Sequence, residues 1–136
     1  MKTFAVRGIE IQVAPDAVFR IVADPRRLVE WAQAFVDADD RSARLQTPRG
    51  AVDVALLTTT HEAARTVDWR LTFPDGSVGL AQSRVTETTR GTAIYSFVLH
   101  APPVPLEELE GALQQQTTTL AHELETLKTL CEREGA

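Results

Sequence analysis

Apolar and polar residues alternate through FAVRGIEIQV, Phe4 to Val13, which puts Ile9, Ile11 and Val13 on one side of a strand. Gly8, in its middle, is a position for a bulge. The period then changes. Ala14-Pro15-Asp16 opens a short amphipathic helix: Pro15 suits the first helical position, Asp16 suits the positive end of the dipole, and Val18, Phe19, Ile21 and Val22 form the apolar face. Asp24-Pro25 stops that helix and starts a second, with Asp24 as N-cap and Leu28, Val29 and Trp31 as anchors. From residue 51 the texture is strand-like again. Runs 51–60, 64–73, 77–88 and 91–100 are rich in Val, Thr and aromatics. Turn signals at Pro48-Arg49-Gly50, His61-Glu62, Pro74-Asp75-Gly76 and Arg90-Gly91 punctuate them, so the spacing predicts consecutive antiparallel hairpins. A weaker strand, FVDADDRSARLQ from Phe35, precedes them against the preference of Asp37, Asp39 and Asp40. Pro102, Pro103 and Pro105 end the sheet. Leucines at 106, 109, 113, 120, 124, 127 and 130 then predict one helix over 105–133, roughly 40 Å long.

That last helix carries a contradiction. Six consecutive polar residues, Gln114 to Thr119, interrupt its leucine stripe, and three of them are threonines, mediocre helix formers. At 100° per residue, Gln116 and Thr117 lie within roughly 60° of the line through Leu113 and Leu120, in the inward sector. Gln114, Gln115, Thr118 and Thr119 point sideways or outward.

Composition narrows the class. The chain has 136 residues, 43% hydrophobic and 24% charged, as expected of one globular domain spanning 1–136. Its net charge of −5 argues against nucleic acid, which needs a basic face. No apolar run suits a membrane span, and no signal peptide is visible, so no stable membrane insertion is expected. A single cysteine, Cys131, fits a reducing cytoplasm; it lies on the leucine stripe and reads as a packed thiol.

The stretch IEIQVAPDAVFRIVADPRRLVEW resembles the START/Bet v 1-like superfamily (SRPBCC), which includes polyketide cyclases, dehydrases and lipid-transport proteins. A first strand runs into Ala14-Pro15 and a helix bearing Val18-Phe19, an Asp24-Pro25 step leads to Trp31, and the last helix ends LETLKTLCE. The resemblance covers essentially the whole chain. It implies an α+β helix-grip fold, in which a curved antiparallel sheet of six or seven strands wraps the long C-terminal helix, with two short helices after the first strand and a cavity between sheet and helix. In such a cavity Gln116 and Thr117 would face space and hydrogen-bond a ligand or water; otherwise the sheet ends short of this turn and they are simply wet.

The sheet supplies the remaining candidates. Val67, Trp69, Leu71 and Phe73 share one face, and Ala93, Tyr95, Phe97 and Leu99 share another. Trp69 and Tyr95 are either core packing or pocket lining, with the Tyr95 hydroxyl as an orienting donor. A three-residue Pro74-Asp75-Gly76 loop pairs Trp69 with Ala81 and leaves Arg84 in solvent; a two-residue loop pairs it with Gln82 and turns Gln82 and Arg84 into the pocket. We favour the first, because small residues beside Trp69 leave room. The expected ligand-binding set is Val67, Trp69, Leu71, Ser83, Tyr95, Phe97, Leu113, Gln116, Thr117 and Leu120. No cofactor is expected. His61, His100 and His122 lack metal-ligand spacing, and Asp37 to Asp40 lack the rest of a calcium loop, so no metal is expected either. Glu123, Glu125, Lys128, Glu132 and Arg133 read as a solvated helix face, with a weak Glu125–Lys128 pair and scope for a homodimer.

Three functions follow: binding of a hydrophobic or aromatic small molecule, lipid or polyketide-like; a polyketide cyclase, aromatase or dehydratase, with Tyr95 or a pocket histidine as acid or base; or a protein-interaction module. No catalytic set can be assigned from the sequence.

Overall fold

The computed structural model describes residues 3–47, 50–101 and 106–135, with the side chains of 106–110 excepted. The expected turn at Pro48-Arg49 and the expected stop at Pro102, Pro103 and Pro105 lie outside the described residues, as do the side chains of Leu106 and Leu109. β1 (Phe4–Ile11) leads to α1 (Pro15–Val22), a single 3-10 turn (Pro25–Arg27) and α2 (Leu28–Trp31). Six strands follow: β2 (Phe35–Ala38), β3 (Ser42–Thr47), β4 (Gly50–His61), β5 (Thr66–Thr72), β6 (Val78–Glu87) and β7 (Ala93–His100). α3 (Leu106–Glu134) closes the chain. The strands form one antiparallel sheet in the order β1-β7-β6-β5-β4-β3-β2. This is an α+β helix-grip architecture, with a curled sheet against a long last helix.

Local chemistry explains the boundaries. Pro15 occupies the first turn of α1, Asp16 sits at its positive end and Arg20 at its negative end. Asp24 caps the next turn by accepting from the Arg26 N–H at 3.0 Å. Leu28 and Trp31 anchor α2 as expected, but Val29 is exposed. Gly8 makes no bulge, because the β1–β7 pairing runs through it without a shift. Between Phe35 and Gln46 the chain forms two strands, not one. Asp39 makes the turn, its Oδ1 accepting from the N–H groups of Arg41 and Ser42, both at 2.9 Å. β5 starts at Thr66, two residues later than the sequence pattern predicts, because Arg65 adopts φ 55° to close the β4–β5 turn. Arg65 Nε also donates to Asp16 Oδ1 at 2.8 Å, tying that turn to α1.

Register decides what the sheet presents inward. The Pro74-Asp75-Gly76 loop has three residues, with Gly76 at φ 86° and Asp75 Oδ1 accepting from the Ser77 N–H. Trp69 therefore pairs with Ala81 and Leu71 with Gly79, and Arg84 is exposed. The concave face buries Val54, Leu56, Val67, Trp69, Val85, Tyr95 and Phe97, joined by Val18, Leu28 and Trp31 from the short helices.

Candidate functional site: a cavity under the last helix

α3 is fastened at its C-terminal end. Leu120, Leu124, Leu127, Leu130 and Cys131 are buried in the core, and the helix packs on β1, α1 and α2. Polar clamps reinforce that end. Lys128 Nζ donates to the Glu10 carbonyl at 3.0 Å and to Glu132 Oε2 at 2.6 Å, so Lys128 pairs with Glu132 and not with Glu125. Glu132 Oε2 also accepts from the Gln12 N–H at 2.8 Å, and the Arg27 guanidinium bridges Glu30 and Glu134. Toward its N-terminal end the helix parts from the sheet, leaving a cavity of about 650 Å³.

The walls are apolar. Trp69, Leu71 and Phe73 come from β5 and its end, Phe97 and Leu99 from β7, Phe35 and Leu45 from β2 and β3, and Leu28 and Trp31 from α2. Gly79 and Ala81 stand opposite Leu71 and Trp69; the small Ala81 leaves space beside Trp69, whereas Phe73 covers Gly79. A Cβ on Gly79 would meet Phe73 Cε2 at 3.5 Å, an ordinary contact, so the glycine is filled by the ring rather than by space. The helical side consists of Ala112, Gln115, Gln116, Thr119, Leu120 and Glu123, which recur at steps of three and four.

Aromatic contacts hold the floor. Trp31 lies 6.2 Å from both Trp69 and Tyr95, Trp69 stacks on Phe97 at 5.8 Å, and Tyr95 meets Phe97 edge-on at 6.3 Å. Each such pair contributes about 0.5–1.5 kcal/mol beyond its buried area. The cluster carries a cost. Trp31 Nε1, Trp69 Nε1 and the Tyr95 hydroxyl are buried without a hydrogen-bond partner among the described residues, and each such group costs about 1–3 kcal/mol. Burial pushes the Tyr95 hydroxyl pKa upward, with Ser83 nearby opposing weakly. Ser83 Oγ donates instead to the Val67 carbonyl at 2.8 Å, and the Tyr95 oxygen is left unpartnered.

Among the described residues the one carboxyl on the wall is Glu123. It is half-buried, and its Oε2 accepts from the Gln33 backbone N–H at 2.5 Å. Burial pushes its pKa up to about 7, and the Gln33 N–H opposes only in part. The sequence pattern assigns Glu123 to a solvated face, and the structure corrects that. The signal was present in the phase: Glu123 follows Leu120 by three and Gln116 by seven, so all three share one face. His100 also borders the cavity, with its ring nitrogen Nε2 at 2.6 Å from Gln82 Oε1.

Of the ten residues expected to bind ligand, the structure places Trp69, Leu71, Phe97, Gln116 and Leu120 on the cavity wall. Val67, Ser83 and Tyr95 lie behind it in the packed core, and Leu113 is buried beside it. Thr117 turns its hydroxyl to the Leu113 carbonyl at 2.8 Å. Gln115 and Thr119, expected to point away, are the ones that flank Gln116 on the wall. A second depression, lined by Glu30, Thr126, Thr129, Leu130 and Arg133, has one apolar side chain and lies on the outer side of α2 and α3. Among the described residues no group of His, Cys, Asp and Glu gathers in a way that would hold a metal, and no helix is long and apolar enough to cross a membrane.

No family model matches the chain, and no curated protein does. Solved structures do match. A START superfamily protein from Mycobacterium smegmatis superposes with a TM-score of 0.76 at 11% identity, covering 97% of this chain and 99% of that one. XoxI from Bacillus cereus gives 0.71 at 15% identity, with 95% of each chain covered. DynU16, a protein of the dynemicin biosynthetic locus, gives 0.62 at 16% identity, with 95% of this chain and 48% of that one covered. Identities this low speak to the fold alone.

Proposed function

Starting from the START/Bet v 1-like fold of this chain, we propose that it binds a hydrophobic small molecule, aromatic and lipid- or polyketide-like, between the sheet and α3. The observation that carries this is the cavity of about 650 Å³ with apolar walls. Pockets for small ligands typically span about 300–1,000 Å³, are mostly apolar, and hold a few polar groups that fix orientation. On the helical side those groups are Gln115, Gln116, Thr119 and Glu123, with Gln33, Gln46 and His100 on the other walls. A ligand would then lie with its apolar body on Trp69, Leu71 and Phe97 and its polar end toward α3.

The protein contains two tryptophans, Trp31 and Trp69, and both line the cavity. Their emission therefore reports on occupancy directly. The neutral apolar fluorophore N-phenyl-1-naphthylamine should quench it by energy transfer and brighten as it enters. Ala81→Phe should weaken that binding roughly tenfold or more, because the new ring fills the space beside Trp69. An unaltered tryptophan signal on titration with the fluorophore would sink the proposal.

A further inference from the structure

Glu123 has one tie to the rest of the fold and no ion pair. Among the described residues no lysine or arginine pairs with it, and its single hydrogen bond is the one from the Gln33 N–H to Oε2. Among the described residues Oε1 has no hydrogen-bond partner. Further along the helix Glu132 pairs with Lys128 and Glu134 with Arg27, while Glu125 is exposed. A carboxyl placed half-buried against apolar walls is costly unless something balances it. Among the described residues of the wall only the Gln33 N–H offsets it, and only in part.

The rest of the wall favours one kind of balance. Among the described residues no arginine or lysine lines the cavity. The faces and edges of Trp31, Trp69, Phe35, Phe73 and Phe97 enclose it, and aromatic faces attract cations, more strongly where water is excluded. The net charge of −5 favours a cation at long range as well. An anionic ligand would meet Glu123 with no compensating positive group.

We infer that the natural occupant is a hydrophobic amine, whose protonated nitrogen sits at the Glu123 carboxylate while its apolar body rests on the aromatic walls. The inference deepens the ligand-binding reading and rests on it. Binding then requires Glu123 to be ionised. Its pKa of about 7 in the empty protein means that at pH 6 the amine must first displace a proton, and at pH 8 it need not. The other ionisable groups around it do not supply the missing charge. From the α2 side, Glu30 is already paired with Arg27; from β7, Tyr95 is a buried phenol and His100 is bonded to Gln82; the strands opposite offer Gln46, which is neutral.

The test compares 2-naphthalenemethylamine with its neutral counterpart 2-naphthalenemethanol, titrated against tryptophan emission between pH 6 and pH 8. The amine should bind more tightly than the alcohol and gain about tenfold over that range, while the alcohol should not gain. Calorimetry at pH 6 in buffers of different ionisation heat should show close to one proton released per amine bound. In Glu123→Gln, with near-ultraviolet dichroism confirming an intact fold, the ratio of amine to alcohol affinity should fall toward one and the pH dependence should vanish. A dependence that survives in Glu123→Gln would belong to another group and would overturn the inference. So would an alcohol that binds as tightly as the amine at pH 8, although ligand binding as such would stand. If neither compound perturbs the tryptophans, both readings fall.

Discussion

Thr117 and Gln116 are neighbours in sequence and do different work. The Thr117 hydroxyl donates to the Leu113 carbonyl one turn back, so its hydrogen-bonding capacity is spent inside the helix. Gln116 has no such bond and stands on the cavity wall. Gln116→Leu should therefore tighten N-phenyl-1-naphthylamine binding by about threefold to tenfold, since an apolar side chain extends the wall by roughly a few methylene groups. Thr117→Val, nearly isosteric, should leave the affinity where it was. Equal responses in the two titrations would mean that the helix is rotated from the phase described. The leucine stripe made Gln116 and Leu120 legible, because periodicity survives without coordinates. Thr117, placed in the same sector, is half-buried but off the cavity wall, and 100° per residue says nothing about a hydroxyl turning back on its own helix. Tyr95 and Val67 were legible as buried. What the sequence could not convey was depth: alternation puts Tyr95 and Phe97 on one face, yet only Phe97 reaches the cavity.

The same division holds for whole elements. The hairpins at residues 74–76 and 88–92 were legible from Asp-Gly and Arg-Gly, where positive φ selects glycine at 76 and 91. The β2–β3 turn was not, because the aspartates that seemed to spoil a strand are what build the turn, with Asp39 accepting two backbone N–H groups. α3 is the element in which sequence texture and mechanics meet. From Leu120 onward it has buried leucines and the Lys128, Glu132 and Glu134 clamps. From Gly111 to Thr119 only Leu113 is buried, and Thr117 and Thr118 both bond back to carbonyls four residues earlier. Thr126 and Thr129 bond back in the same way in the second half, so burial and the polar clamps are what set the halves apart. Amide hydrogen exchange should accordingly be fast over 111–119 and slow over 120–133, and a ligand in the cavity should slow the first segment far more than the second. Uniform protection along the helix would show that the two halves open as one unit.

Across the whole molecule, the carboxylates divide into two sets with opposite consequences for stability. Hydrogen bonds from Thr92 and Gln12 hold Glu10 below the ordinary carboxylate range, and Arg27 does the same for Glu30 and Glu134. The N–H groups of Arg41 and Ser42 lower Asp39, Arg44 lowers Asp53, Ser77 lowers Asp75, and Lys128 lowers Glu132. Groups depressed in the folded state add stability above their unfolded pKa and lose it as pH falls through the folded value. Glu123 has the other sign. Its folded pKa is raised from 4.5 to about 7, so the folded state holds its proton more tightly than the unfolded chain. Stability from this group is intact below 4.5 and is lost as pH rises to about 7, where Glu123 must ionise against the aromatic wall. The two sets together predict a maximum near pH 5, with a fall on both sides. The alkaline fall between pH 5 and pH 8 should amount to about 1–3 kcal/mol once solvent screening at the open cavity is allowed for. Urea unfolding midpoints measured across pH 4–8 give the profile. Glu123→Gln should flatten the limb above pH 5 and keep the acid limb, because the lowered carboxylates are untouched. Parallel profiles for the two proteins would mean that Glu123 is solvated in the folded state, and the polar corner of the cavity would lose its distinction from the rest of the helix surface.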